Sequence, residues 1–211
     1  MPIVASEQIW LGAFAIGWRR CSSTWATSVE AQAASAYWAA WVPVPMRFAK
    51  RDLARVLEHW RTFGIRASPI TGTSRSAGNP INALLNYTYA ILETEVRLTI
   101  LAMGPDPGMG MLHADLKNRA SLVYDLLEPL RPIVDGYVLT LLEERSFAAK
   151  KFFETRQGDC QLMPPLPQTL AELSPRLAKL AAPVVEQVAQ RLAHGRGRFA
   201  RRATWWPPFH F

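Results

Sequence analysis

Asn79-Pro-Ile-Asn-Ala-Leu-Leu-Asn-Tyr-Thr-Tyr-Ala-Ile-Leu-Glu93, continued to Met103, is the stretch on which the fold turns. Asparagine followed by proline is a helix start: the amide side chain caps, and proline suits the first helical position, where no N–H is needed. From there Ile81, Leu84, Leu85, Thr88, Leu92, Val96, Thr99, Ile100 and Met103 recur at three and four residues, so they share one stripe of a helix. At 1.5 Å per residue such a helix is roughly 37 Å long, enough for the central strut of a helical bundle. Gly104-Pro-Asp-Pro-Gly108 then breaks it.

Outward from this strut the same period recurs. Ser28 to Trp41 is rich in alanine, with Ser28 as its expected N-cap and Pro43 and Pro45 as its stop. A short helix is expected from Asp52 as N-cap through Leu53, Val56 and Leu57. Arg66 to Asn79 reads as a polar connector. A further helical pattern begins near Ser121 and holds Leu122, Leu126, Leu127, Leu130, Val134, Val138, Leu141 and Leu142, with Pro129 and Pro132 kinking it. Phe152 to Leu162, with Gly158-Asp159 in its middle, reads as a small hairpin. Two short helices, opened by Pro175 and Pro183, are expected after it. The expected fold is mainly α, a helical bundle with one small β-hairpin near 152–162. It divides into a short N-terminal segment (1–27), a helical domain (28–193) and a basic, flexible tail (194–211).

Apolar residues make up 49 % of the 211 and charged residues 19 %, which excludes a wholly disordered chain. The net charge of +7 favours an acidic partner, nucleic acid or an anionic membrane surface. No stretch reaches the ~20 apolar residues that a membrane span requires. The apolar run Ile9 to Trp18 is followed, not preceded, by Arg19 and Arg20, which is the wrong order for a secretory signal. A cytoplasmic protein without a membrane role is therefore expected, with Cys21 and Cys160 as reduced thiols.

Asp125 and Glu128 lie three apart on an expected helix and so share a face, inside an apolar stretch. Convergent carboxylates hold Mg²⁺ or Mn²⁺, although acid pairs at this spacing are also common on plain surfaces. His113 sits alone in a loop, and Glu30 in the first turn of a helix; spacing alone does not join either to the acids. Arg66, Arg75, Lys117, Arg119 and Arg131 lie in or beside the segments that bear them. A basic groove around an acidic metal site suits phosphodiester chemistry: the groove holds the backbone and the metal neutralises charge at the phosphate.

Read as strings, four segments resemble one family. The Asn79–Glu93 stretch looks like the central helix of the CRISPR-associated spacer-acquisition integrase/endonuclease family. Gly104-Pro-Asp-Pro-Gly-Met-Gly-Met-Leu-His113 looks like its turn to a metal-binding histidine, and Ser121-Leu-Val-Tyr-Asp-Leu-Leu-Glu-Pro-Leu-Arg-Pro132 like its acidic motif. Glu30-Ala-Gln-Ala-Ala-Ser-Ala-Tyr-Trp38 resembles the helix that carries its first catalytic glutamate. The strings stand in the family's order and cover about residues 28 to 150.

The resemblance implies an all-helical catalytic domain whose metal ligands map to Glu30, His113 and Glu128, with Asp125 at a nearby acidic position that also matters in the family. It implies a Mg²⁺- or Mn²⁺-dependent DNA endonuclease and strand-transfer integrase that acts on double-stranded DNA, as spacer integration into CRISPR arrays does. Its implied partners are a second copy or higher oligomer and a small ferredoxin-like companion subunit. Family members usually begin with a β-rich domain, for which fewer than 30 residues before the Glu30 helix leave no room. The alternative to an active enzyme is therefore a catalytically inactive DNA-binding or scaffolding relative outside a CRISPR locus.

Overall fold

The computed structural model describes the backbone of residues 23–64, 77–108 and 120–194, and the side chains of 32–64, 77–108 and 120–192. It is mainly helical with one two-stranded antiparallel sheet, as the sequence periodicities predict. The chain divides into two compact units: Met1–Trp41 with Arg191–Phe211, and Val42–Gln190.

In the first unit, helix α1 spans Ser23–Trp41. It starts five residues before the expected cap at Ser28, because the Ser-Thr-Trp-Ala-Thr run before Ser28 carries no breaker. Its last turns carry an aromatic cluster, with Tyr37 edge-on to Trp38 at 5.2 Å and Trp38 at 6.1 Å from Trp41.

The second unit is built on helix α2, Pro80–Met103. Asn79 caps it as read: its side-chain oxygen accepts from the Asn82 N–H at 3.0 Å. The C-terminus closes on Gly104, whose φ of 97° is left-handed and whose N–H reaches the Ile100 carbonyl at 3.0 Å, a cap that only glycine adopts without strain. The predicted stripe is the buried face: Ile81, Leu84, Leu85, Thr88, Leu92, Val96 and Ile100 are inaccessible to solvent. Met103, at the end of the stripe, is 38 % exposed because the helix has run past the core. Each of the large apolar side chains on this face stabilises the fold by roughly 1.5–3 kcal/mol, an upper figure because denatured chains already bury some surface.

Packed on α2 are α3 (Ser121–Leu127) and α4 (Arg131–Glu144), joined by a 3-10 turn at Glu128–Leu130. Leu122, Val123, Leu126, Leu127, Leu130, Val134, Val138, Leu141 and Leu142 face the core. The hairpin follows, β1 (Phe152–Glu154) paired with β2 (Cys160–Leu162) in the register Phe152↔Leu162, Phe153↔Gln161, Glu154↔Cys160. Its turn uses Gly158 at a φ of 80°. Strand β2 lies against α2, and the Cys160 N–H donates to the Ala77 carbonyl at 2.6 Å. The Cys160 thiol is buried, and burial, reinforced by the nearby Glu154 carboxylate, pushes its pKa from 9.0 to about 12.

Residues 42–64 form an irregular strap around an aromatic cluster in which Phe48, Trp60, Phe147 and Phe152 meet with ring separations near 6 Å. Glu154 anchors this strap: one carboxylate oxygen meets His59 Nε2 at 2.5 Å and accepts from Trp60 Nε1 at 3.0 Å. The expected α-helix capped by Asp52 is instead a 3-10 helix over Lys50–Arg55 with no side-chain cap. Asp52 accepts from the Ala149 N–H at 3.2 Å, so a tertiary partner took the oxygen that a cap would have used.

After the short helix α5 (Leu166–Ala171) the chain runs into α6, Ser174–His194. The two proline-opened helices expected here are one: Pro183 lies inside α6. Leu177, Ala181, Val185 and Val188 stay buried across it, and the gain from that stripe outweighs the single hydrogen bond that proline cannot make. Ser174 Oγ donates to Glu95 of α2 at 2.5 Å, tying the start of α6 to the strut. No helix among the described residues is long and apolar enough to cross a membrane.

Candidate functional site

The acid-bearing segment sits where the α3–α4 line passes through its 3-10 turn. Glu128 is the first residue of the 3-10 turn, as expected of a site at a helix break. Its own geometry is nonetheless α-helical (φ −52°, ψ −48°), and its N–H donates to the Tyr124 carbonyl. The bias against α geometry before Pro129 is overcome because both sides of the turn are held: Leu127 and Leu130 are in the core.

Pro129 and Pro132 have a definite effect here. Neither has an N–H, so neither can donate to the carbonyl four residues back, which belong to Asp125 and Glu128 respectively. The Glu128 carbonyl is taken up by the Arg131 N–H, three residues on. The two acids thus stand at the two places where the helical ladder is interrupted.

Asp125 is buried, 5 % exposed, while the Glu128 side chain is 19 % exposed. A carboxylate so deep in an apolar stretch requires compensation by hydrogen bonds or a cation. Arg131 Nη2 stands 3.3 Å from Glu128 Oε1. The Arg131 guanidinium also lies over the Tyr89 ring, 5.3 Å from its centroid. At the far end of that ring the Tyr89 hydroxyl donates to Asp135 Oδ1, and Asp135 is 3 % exposed. The described part of the site is therefore a row of polar groups between α2 and the α3–α4 line: Glu128, Arg131, Tyr89 and Asp135.

Of the residues singled out from sequence, Glu128 and Arg131 meet, and Asp125 lies buried three residues before Glu128 in α3. Glu30 is on helix α1 in the other compact unit, and its side chain lies outside the described residues. His113, Lys117 and Arg119 lie outside them too, as do Arg66 and Arg75 and the tail 195–211. Among the described residues no group of three or more histidine, cysteine, aspartate or glutamate side chains converges. The two acids present are hard oxygen donors, the type that Mg²⁺ and Mn²⁺ take, so the described donor set fits such an ion in kind. Tyr89 and Asp135 escaped the sequence reading. Asp135 carried a signal, an acid between the apolar pairs Ile133-Val134 and Val138-Leu139, but its partner is 46 residues away on another helix.

Residues 21–173 match the family model described as CRISPR associated protein Cas1. The CRISPR-associated endonuclease Cas1 of Korarchaeum cryptofilum is 32 % identical over 117 residues, which is 56 % of this chain and 30 % of that protein. The chain thus spans about a third of the length of that curated relative. A casposase bound to integration product superposes with a TM-score of 0.63 at 25 % identity, covering 82 % of this chain and 51 % of that one. TM1797, a Cas1 protein from Thermotoga maritima, superposes with a TM-score of 0.65 at 18 % identity over 95 % of this chain and 68 % of that one, a likeness of fold.

Proposed function

The chain belongs to the CRISPR-associated Cas1 family, and from that membership we propose that it carries the catalytic site of a DNA-cutting and DNA-joining enzyme, a metal-dependent endonuclease and integrase. The observation that supports the reading is the position of Glu128 at the interrupted turn, beside Arg131 and three residues after the buried Asp125, inside the segment that matches the family. The 25 % identical casposase, whose structure contains its integration product, supports the same reaction class.

Glu128 would hold a divalent ion together with Glu30 and His113, and Asp125 would either join them or orient them. When bound, Mg²⁺ or Mn²⁺ supplies Lewis acidity at the scissile phosphate and favours the ionised nucleophile. The chain's own part is positioning. Glu128 is fixed by the turn and by Arg131, and the Arg131 guanidinium, one-third exposed, offers a planar fork suited to a phosphate oxygen pair. Strand transfer is attack by a 3′-hydroxyl on a phosphodiester, with departure of the other 3′-oxygen; hydrolysis is the same displacement by water. The substrate is double-stranded DNA held along a basic groove that includes Arg131 and would extend through Arg66, Arg75, Lys117 and Arg119. A second copy of the chain and a small ferredoxin-like companion would complete the assembly. Integration of spacers into a CRISPR array is the finer role that family membership supports.

The test is a strand-cleavage and strand-transfer assay on labelled duplexes with Mg²⁺ or Mn²⁺. Glu128→Ala, His113→Ala and Glu30→Ala should each abolish both reactions and leave duplex affinity largely intact, because binding rests on the basic groove. Asp125→Ala should match them if Asp125 is a ligand, or lose about 10–100-fold if it acts through one. Activity that survives a chelator, or is unchanged in His113→Ala, overturns the reading. DNA binding with no reaction in the wild type would leave a DNA-binding or scaffolding role.

A further inference from the structure

Glu128 does not stand alone, and the groups behind it form a directed chain. We propose that Tyr89 and Asp135 are positioning residues that act on the Glu128 carboxylate through Arg131, an inference that rests on the reading of Glu128 as a metal ligand. The Arg131–Glu128 contact, at 3.3 Å and between side chains 34 % and 19 % exposed, is by itself a loose surface pair of the kind that fixes little. What changes this is the group beneath the guanidinium. The Tyr89 ring lies 5.3 Å from it, close enough for the face of the ring to attract the cation. Arg131 Nε is buried and donates no hydrogen bond among the described residues. The ring, and not a hydrogen bond at Nε, is thus what defines the height of the guanidinium.

The ring is in turn held at its far end. Its hydroxyl donates to Asp135, 3 % exposed on α4, where no water competes for the bond. Tyr89 belongs to the rigid strut α2, whereas Glu128, Arg131 and Asp135 belong to the α3–α4 line. The ring therefore references the acid-bearing turn to the strut. This matters at the turn because Pro129 and Pro132 deprive it of ladder hydrogen bonds. A metal ligand displaced by about 1 Å forfeits much of its effect, and outer groups that orient ligands are worth about 10–100-fold in affinity.

The experiment measures Mn²⁺ affinity of the full chain without DNA by calorimetry, with the thermal midpoint and duplex affinity recorded alongside. Tyr89→Phe keeps the ring and removes its tether; Asp135→Asn keeps the shape and weakens the acceptor. Each should weaken Mn²⁺ binding about 10–100-fold. Arg131→Met should show the same loss, and adding Tyr89→Phe to it should cost nothing more, since Tyr89 acts through Arg131. A lower thermal midpoint with Mn²⁺ affinity intact in both Tyr89→Phe and Asp135→Asn overturns the inference and leaves these residues a packing role. So does a Tyr89→Phe loss that is undiminished in the Arg131→Met background. If wild type and Glu128→Ala bind Mn²⁺ equally or not at all, the reading of Glu128 as a ligand falls, and this inference with it. Normal wild-type binding lost in Glu128→Ala but kept in Tyr89→Phe overturns the inference alone.

Discussion

Asn79→Ala removes two hydrogen bonds at the mouth of the strut, and their cost can be worked from the structure. The first is the cap from the Asn79 side-chain oxygen to the Asn82 N–H at 3.0 Å, worth about 1 kcal/mol. The second runs from Asn79 Nδ2 to the Phe63 carbonyl. That site is buried, Asn79 being 3 % and Phe63 1 % exposed, so no water replaces the donor and the stranded carbonyl costs about 1–3 kcal/mol. Asn82 Nδ2 stands 3.4 Å from the same carbonyl and recovers part of it. The expected loss is about 2–4 kcal/mol in urea unfolding, or roughly 5–15 °C in Tm for a chain of this size. Asn79→Ser separates the two effects: it keeps the cap, loses the Phe63 bond and should cost about 1 kcal/mol less than alanine. Asn79→Asp keeps the cap oxygen and sets a second oxygen against the carbonyl, so it should do no better than alanine. A loss below about 0.5 kcal/mol in Asn79→Ala, or equal losses in the serine and alanine variants, would refute the division of labour between cap and strap.

Cys160 should react slowly with a water-soluble thiol reagent in the folded protein and readily in urea, because its pKa is raised to about 12 by burial and by Glu154. The raised value means that the fold favours the neutral thiol. Its contribution is fully present below pH 9 and is lost as pH rises from 9 towards 12, at no more than about 1.4 kcal/mol per pH unit, and Cys160→Ser should flatten that alkaline decline. Glu154→Ala strands Trp60 Nε1 and should cost about 1–3 kcal/mol in urea unfolding, with faster thiol reaction at Cys160 as a second readout. Pro183→Ala, at an exposed position inside α6, should raise stability by about 1–3 kcal/mol, and a destabilised variant would show that the proline is structurally required.

What the sequence made legible was local. The Asn79-Pro80 cap, the stripe from Ile81 to Ile100, the Gly104 stop and the hairpin around Gly158 each depend on a few neighbours, and each lies where the residues placed it. The misreadings share a cause. Asp52 is a good cap residue in isolation, but Ala149, 97 positions away, claimed its oxygen. Pro183 is a good helix opener in isolation, but the buried stripe on either side carried α6 through it. Tyr89 and Asp135 were invisible because only the packing of α2 on α4 makes them partners. Glu30 and His113 were joined to Glu128 by resemblance alone, since no periodicity spans such distances.

The placement of the acids is explained by this contrast between local and long-range demands. A continuous helix over 121–144 would give the Asp125 and Glu128 carbonyls their ladder donors, so backbone hydrogen bonding gives no reason for Pro129 and Pro132. Those prolines remove the donors that would otherwise meet the carbonyls of Asp125 and Glu128, and they tighten the ladder into a 3-10 turn at Glu128. Across this turn the Arg131 guanidinium lies over Tyr89 while still reaching the Glu128 carboxylate. If that is what the prolines are for, Pro129→Ala should regularise the helix and leave stability equal or higher. The same variant should shift the Arg131 guanidinium relative to the Tyr89 ring and lower strand transfer. Gain of stability with full activity in Pro129→Ala would show that the break is incidental to the site.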